Sequence, residues 1–283
     1  MINLEKIKKE KSIKELINFG IINIDKPSGP TSFSVSQYVK NSLALNKTAH
    51  LGTLDPAVTG VLPVALSRAC RLNEYLMHRN KVYVGIMRVH KEVSEKDLKA
   101  SIKKFIGKIM QLPPVKSRVK RAVREREVKS FDILEISGKD VLFSTEVQAG
   151  TYIRKLCDDI GKEIGGAHML ELRRTKAGIF DELESVNLYD FDKAVESWKN
   201  GDAKLLRDIL IPGEIVSSVL PVVQANPKNR KQLLTGKPLM KGDFNDSLPD
   251  EERFALFDID RFIGAYKKVS EGDIIARPEF ILN

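Results

Sequence analysis

Apolar and polar positions change period several times along the chain, and each change marks an element. Gly20 to Asp25 is almost continuously apolar and predicts a short buried strand, closed by the turn Lys26-Pro27-Ser28-Gly29-Pro30. Thr31 or Ser32 can cap a following helix with Val35, Tyr38 and Val39 as its apolar stripe. Val61 to Leu66 is a second continuous apolar run and reads as another buried strand, with a helix over Ser67 to Met77 behind it. Lys81 to His90 alternates as a strand does, and Ser94 with Asp97 marks the start of a helix carrying Leu98, Ile102, Phe105 and Ile106 and ending at Gly107. Phe131–Ile136 and Val141–Ala149 predict a hairpin turning at Ser137-Gly138-Lys139-Asp140. After Gly150, the residues Ile153, Leu156, Cys157, Ile160 and Ile164 recur at helical spacing. Asp190–Asn200 and Asp202–Leu210 predict two more helices. From Leu220 onwards short strands alternate with turns, the pattern of a small β-barrel.

Composition adds partners to this picture. The formal charge of +9 and pI near 9.3 favour a polyanion, with RNA, DNA and anionic membrane all open at this level. The charge is uneven. Lys116 to Lys129 carries Lys116, Arg118, Lys120, Arg121, Arg124, Arg126 and Lys129 against Glu125 and Glu127, a net +5 in fourteen residues, which predicts phosphate contact. Residues 1–19 mix lysines with Glu5, Glu10 and Glu15 and predict a solvated basic helical arm. Cys70 and Cys157 lie in apolar helical patterns, so the sequence predicts neither a disulfide framework nor a thiolate metal site, and reduced cytosol fits best. The four histidines lack paired-ligand spacing, so no metal is expected. No apolar run suggests a leader or a membrane span. At 283 residues the chain suits one large and one small domain, with a composition shift near Pro212-Gly213.

The candidate chemistry lies in Lys47 to Gly60, a stretch rich in Gly, Pro and Thr that holds a single carboxylate, Asp55. A loop of this composition has its shape fixed by its backbone, as an aimed side chain requires. Composition alone also allows an ordinary structural loop.

His50-Leu-Gly-Thr-Leu-Asp55-Pro-Ala-Val-Thr-Gly-Val-Leu-Pro-Val-Ala-Leu66 resembles the catalytic motif of the TruB and dyskerin family of RNA pseudouridine synthases. Three further stretches resemble the family's other motifs in the family's order. They are the apolar strand ending in Lys26-Pro27, the strand with Tyr83 near its start, and Gly150-Thr-Tyr-Ile-Arg154, followed by Leu172-Arg-Arg-Thr175. The resemblance implies an α+β fold: a mixed, largely antiparallel sheet flanked by helices over 20–212, and a small PUA-like β-barrel over 213–283 for RNA binding.

It also implies roles. Uridine becomes pseudouridine when the N-glycosidic bond breaks, the uracil rotates, and carbon 5 joins the sugar, so the nucleotide must first be flipped into a pocket. Asp55 stands at the family's catalytic aspartate. Arg154 would keep it charged, since an adjacent guanidinium lowers a carboxyl pKa while desolvation raises it. Tyr83 would stack on the uracil and help take the proton from carbon 5. Leu172 would pack beneath the base, His50 and Tyr152 would shape the flipped nucleotide, and Lys26 would touch substrate. The family needs no metal or organic cofactor. The region Tyr83–His90 and the basic run resemble the archaeal dyskerin branch, whose enzyme is the catalytic subunit of an H/ACA guide ribonucleoprotein acting on rRNA and tRNA with small partner proteins. Ala57, where guided enzymes usually carry a basic residue, and the short C-terminal part leave open a stand-alone enzyme for the T-loop uridine of tRNA. A non-catalytic RNA-binding scaffold would be expected to have lost Asp55, Tyr83 or Arg154, and all three are present. A DNA-binding protein would need helix-turn-helix or zinc-finger spacing, which the chain lacks.

Overall fold

A computed structural model describes residues 2–113, 121–245 and 247–283. In chain order its helices are α1 (Leu4–Glu10), α2 (Ile13–Asn18), α3 (Ser32–Ser42), α4 (Asn73–Met77), α5 (Glu95–Lys103), α6 (Ile153–Lys162), α7 (Leu188–Lys199), α8 (Lys204–Ile209) and α9 (Arg230–Leu233). The strands of the larger sheet are β1 (Gly20–Lys26), β2 (Thr48–His50), β3 (Thr59–Leu66), β4 (Lys81–Val89), β5 (Gly107–Gln111), β6 (Arg124–Ser137), β7 (Asp140–Val147), β8 (Ala167–Ala177), β9 (Phe180–Asp181), β10 (Val186–Asn187) and β11 (Leu210–Pro212). Those of the smaller sheet are β12 (Val222–Gln224), β13 (Leu239–Met240), β14 (Arg253–Asp258), β15 (Arg261–Glu271) and β16 (Ile274–Ile281).

The larger sheet runs β10-β1-β3-β8-β4-β7-β6-β5, with β11 beside β1, β2 beside β3 and β9 beside β8. Only β1–β10 and β3–β8 pair in parallel, so the sheet is mixed and largely antiparallel. The two continuous apolar runs are central strands buried on both faces. Ile22 and Ile24 of β1 and Leu62, Val64 and Leu66 of β3 join the core beneath the helices, which also takes Val35 and Val39 of α3 and Phe191 of α7. Their alternates Ile21, Val61 and Ala65 face the other way, into a second core shared with Phe257, Phe262 and Phe280 of the smaller sheet. That sheet runs β12-β14-β15-β16-β13 and is closed off by an isolated bridge between Ala225 and Phe244. The α+β fold, with a curled five-stranded sheet at its C-terminal end consistent with a PUA-like unit, is therefore present.

Three local expectations need correction. The N-terminal arm is not solvated: Ile7, Leu16, Ile17 and Phe19 are buried, Phe19 stacks on Phe262 at 5.3 Å, and the Lys11 ammonium meets Glu214 at 2.5 Å. The mixed charges concealed an apolar face, with Leu16 and Ile17 in the main core and Phe19 against the smaller sheet. The helix expected over Ser67–Met77 is divided into a 3₁₀ segment (Ser67–Leu72) and α4, after Ser67 enters at φ 44°. Tyr38 is not part of the apolar stripe, because its hydroxyl reaches out to Asp192 at 2.7 Å. The second half of the basic run, whose secondary structure the sequence leaves open, is strand: β6 begins at Arg124 and pairs with β5 from Gln111↔Arg124 to Gly107↔Val128. Its charges are partly compensated there, with Glu125 on Lys108 and Glu127 on Lys129.

Candidate active site

The stretch from Leu51 to Val61 is tied down at almost every turn. The Leu51 N–H donates to Pro63 O at 2.8 Å, and the Val58 N–H donates back to Asp55 O at 3.0 Å. The buried Ser32 hydroxyl, at the first position of α3, accepts from the Leu54 N–H at 2.8 Å and donates to Leu54 O at 3.0 Å. Pro56 O receives the Gly29 N–H and the Lys26 ammonium, both at 2.9 Å. Leu54 and Val58 bury their side chains in the main core. Asp55 is the loop's one carboxylate and stands 52% exposed on a backbone held by these bonds.

Arg154 meets it. The Arg154 Nη2 donates to Asp55 Oδ2, so the inward turn that needed a waiting carboxylate is made. Arg154 is the second residue of α6, and the helix start is itself clamped. The Gln111 side chain accepts from the Tyr152 N–H at 3.0 Å and donates to Tyr152 O at 3.2 Å. Gly150, at φ 83°, makes the sharp turn that leads in.

Behind the loop stand β4 and β8. Tyr83 is buried on β4 and paired with Arg174 of β8, and Leu172 lies on the same face of β8 as Arg174, opposite Gly85. His50 ends β2, with its Nε2 3.2 Å from Thr53 Oγ1. Burial, and next the Arg174 charge, hold its imidazole below the ordinary histidine pKa, so the ring is neutral at pH 7.

Lys26 is placed differently from its expected role. It is fully buried, and its ammonium donates to Pro27 O at 2.7 Å as well as to Pro56 O. An amine so enclosed does not reach substrate; it shapes the Asp55 loop from beneath. Among the RNA-contact candidates, Lys116, Arg118 and Lys120 lie outside the described residues. Arg121 is exposed, and Arg124 opens β6 half-buried. The structure thus gathers Asp55, Arg154, Tyr83, Leu172, His50 and Tyr152 around one loop, and moves Lys26 behind it.

Three residues important to this geometry did not stand out in the sequence. Ser32 reads in the sequence only as a possible helix cap. Lys81 is buried two residues before Tyr83, with its ammonium donating to Met77 O at 2.7 Å and Arg79 O at 2.6 Å; burial, then the Arg174 charge, push its pKa down to about 7. Arg174 is 1% exposed, and its guanidinium donates to Val61 O at 2.7 Å and Gly52 O at 2.9 Å. The period of two offered a signal, since Lys81 shares a face with Tyr83 and Arg174 with Leu172. Among the described residues no three His, Cys, Asp or Glu side chains gather as metal ligands would.

Known proteins match this chain throughout. The family model described as "TruB family pseudouridylate synthase (N terminal domain)" matches residues 40–153, and the "tRNA pseudouridylate synthase B C-terminal domain" matches 154–217. The "Probable tRNA pseudouridine synthase B" of Methanothermobacter thermautotrophicus is 47% identical over 216 residues, 76% of this chain and 67% of that protein. The matched stretch spans 64% of the corresponding relative from Methanopyrus kandleri, at 49% identity over 217 residues, again 76% of this chain. A solved Cbf5–Nop10–Gar1 complex contains a chain that superposes with a TM-score of 0.87 at 36% identity, covering 97% of this chain and 88% of that one. With four motifs in order, the aspartate–arginine pair in place and similarity along almost the whole length, the chain belongs to the TruB family of pseudouridine synthases.

Proposed function

We propose that this chain isomerises uridine to pseudouridine in RNA as the catalytic subunit of an H/ACA guide ribonucleoprotein acting on rRNA and tRNA. The observation that carries the chemistry is the contact of Arg154 with Asp55 on a loop whose neighbouring carbonyls and amides are already engaged. A carboxylate held ionised beside the sugar, by attack at carbon 1′ or by removal of a ribose proton, allows the N1–C1′ bond to break. Tyr83 lines the space in which the freed uracil turns. When the C5–C1′ bond has formed, the hydrogen on carbon 5 leaves and N1 takes up a proton, so the reaction is an isomerisation with no net change in atoms. Leu172 supplies an apolar floor, and neutral His50 with Tyr152 flanks the flipped nucleotide. Arg121 and Arg124, just before and at the start of β6, supply phosphate contacts. Residues 20–212 form the catalytic unit and 213–283 the RNA-binding unit, and the setting is cytoplasmic.

The guided reading is supported by the solved assemblies in which similar chains occur, one of them titled as an H/ACA RNP bound to a substrate RNA containing 2'-deoxyuridine, with a TM-score of 0.87, 34% identity and coverage of 98% of this chain and 89% of that one. A stand-alone enzyme acting on the T loop of tRNA is the second reading. It is favoured by the name tRNA pseudouridine synthase B on the relatives and by Ala57 beside the catalytic loop. Incubating the purified chain with an unmodified tRNA transcript separates them. Pseudouridine in the T loop from the chain alone supports the second reading. Product only after addition of guide RNA and the small partner proteins supports the first. No product under either condition would contradict both.

A further inference from the structure

Two consecutive arginines on β8 have opposite surroundings. Arg173 is an ordinary paired arginine: Nη1 and Nη2 meet the two oxygens of Asp25 at 2.9 and 3.1 Å, and Nε meets Glu182 at 2.8 Å. Arg174, on the other face, is buried and has no carboxylate partner among the described residues. A buried cation without a counter-charge is expensive, and an apolar side chain of similar volume would fill a core position at less cost. A guanidinium at such a position is accounted for if it holds something that only its planar fork can hold.

The guanidinium lies at the centre of the candidate site. Its two carbonyl partners, Gly52 and Val61, stand on either side of Asp55, so a single planar fork spans the entry and the exit of the catalytic loop. The backbone of Arg174 pairs with Gly60, where a Cβ would come within 2.2 Å of Arg174 O, so the loop exit is seated directly on this residue. The Tyr83 side chain faces the same guanidinium and favours its charged form. His50 and Lys81 both feel its charge.

We infer that Arg174 is a positioning residue that holds the Asp55 loop and the Tyr83 side chain in register with each other. The inference rests on the reading of the site as a uridine isomerase. The uracil released on the Asp55 side must be met, after rotation, by Tyr83 on the β4 side, so a shift between the two supports displaces one group from the base it must reach. A displacement of about 1 Å costs on the order of 10²-fold in rate.

The test uses the full chain and two variants, Arg174→Lys, which keeps the charge and loses the fork, and Arg174→Gln, which keeps an amide donor and loses the charge. Amide hydrogen exchange is measured on the RNA-free proteins. The expected result is faster exchange at Leu51, Leu54 and Val58 in the variants, with protection elsewhere in the main core unchanged. Activity is then measured on substrate RNA with and without deuterium at carbon 5 of the target uridine. For Arg174→Lys, kcat should fall about 10²-fold with the RNA dissociation constant within about threefold of wild type. A larger deuterium effect on turnover than in the wild type should accompany it. Unchanged loop exchange, a kcat within threefold of wild type, or a loss of RNA affinity that accounts for the loss of turnover would each overturn the inference. Failure of both variants to fold would do the same, since the arginine would then serve the whole core. Exchange is read without RNA, so it judges Arg174 even if the wild type were to prove inactive, an outcome that would contradict the functional reading instead.

Discussion

Arg154 donates to the Asp55 carboxylate across 99 residues of sequence, from the first turn of α6 to the loop between β2 and β3. Both side chains are about half exposed, 49% and 52%, so the pair contributes little to stability. In the proposed reaction its role is to aim the carboxylate at the substrate. Arg154→Lys should therefore lower turnover by roughly 10-fold or more, because an ammonium reproduces the charge but not the planar geometry, while the melting temperature moves by no more than about 2 °C. Single-turnover kinetics beside a thermal melt checks both parts.

Lys26 supports the same loop from the buried side. Lys26→Met removes both donors that Pro27 O and Pro56 O receive, leaving carbonyls that no longer have this partner. The expected cost is about 1–3 kcal/mol in urea unfolding. Turnover should fall by roughly 10-fold as the Asp55 loop loosens, with RNA affinity little changed. Loss of RNA affinity with normal turnover would instead return Lys26 to substrate contact.

Lys81 gives the site a dependence on pH. Its folded pKa of about 7 lies below the ordinary 10.5, with burial as the main cause. Between those values the unfolded chain holds a proton that the folded chain has released, so this group makes folding more favourable as pH rises through the window. Relative to Lys81→Met, the wild type should gain stability from pH 7 towards 10, by at most about 1.4 kcal/mol per pH unit. Urea unfolding at several pH values follows the difference, and parallel curves for the two proteins would contradict it.

Much of this was legible in the sequence where the signal is local. The apolar runs of β1 and β3 announced strands buried on both faces, and Thr31 caps α3 as its type predicts. The Asp55 loop was legible because Gly, Pro and Thr crowd around one carboxylate. The remainder depended on long-range contact. Nothing in the mixed charges of residues 1–19 indicated that Phe19 would stack on Phe262. The run of charges carried no sign of the pairing of β6 with β5. The family resemblance alone gave Lys26 a substrate contact; two carbonyls draw its ammonium inwards. Arg173 and Arg174 are indistinguishable as letters, and only the pleat of β8 sends one to carboxylates and the other beneath the catalytic loop.

The central claim is that the Asp55 carboxylate carries the reaction, and Asp55→Asn tests it most directly. The substitution keeps size and shape at an exposed position, so the fold and the RNA affinity should be retained. Pseudouridine formation, measured on the RNA that the wild type modifies, should fall by roughly 10³-fold or more. Turnover at the wild-type rate by the asparagine variant would contradict the account.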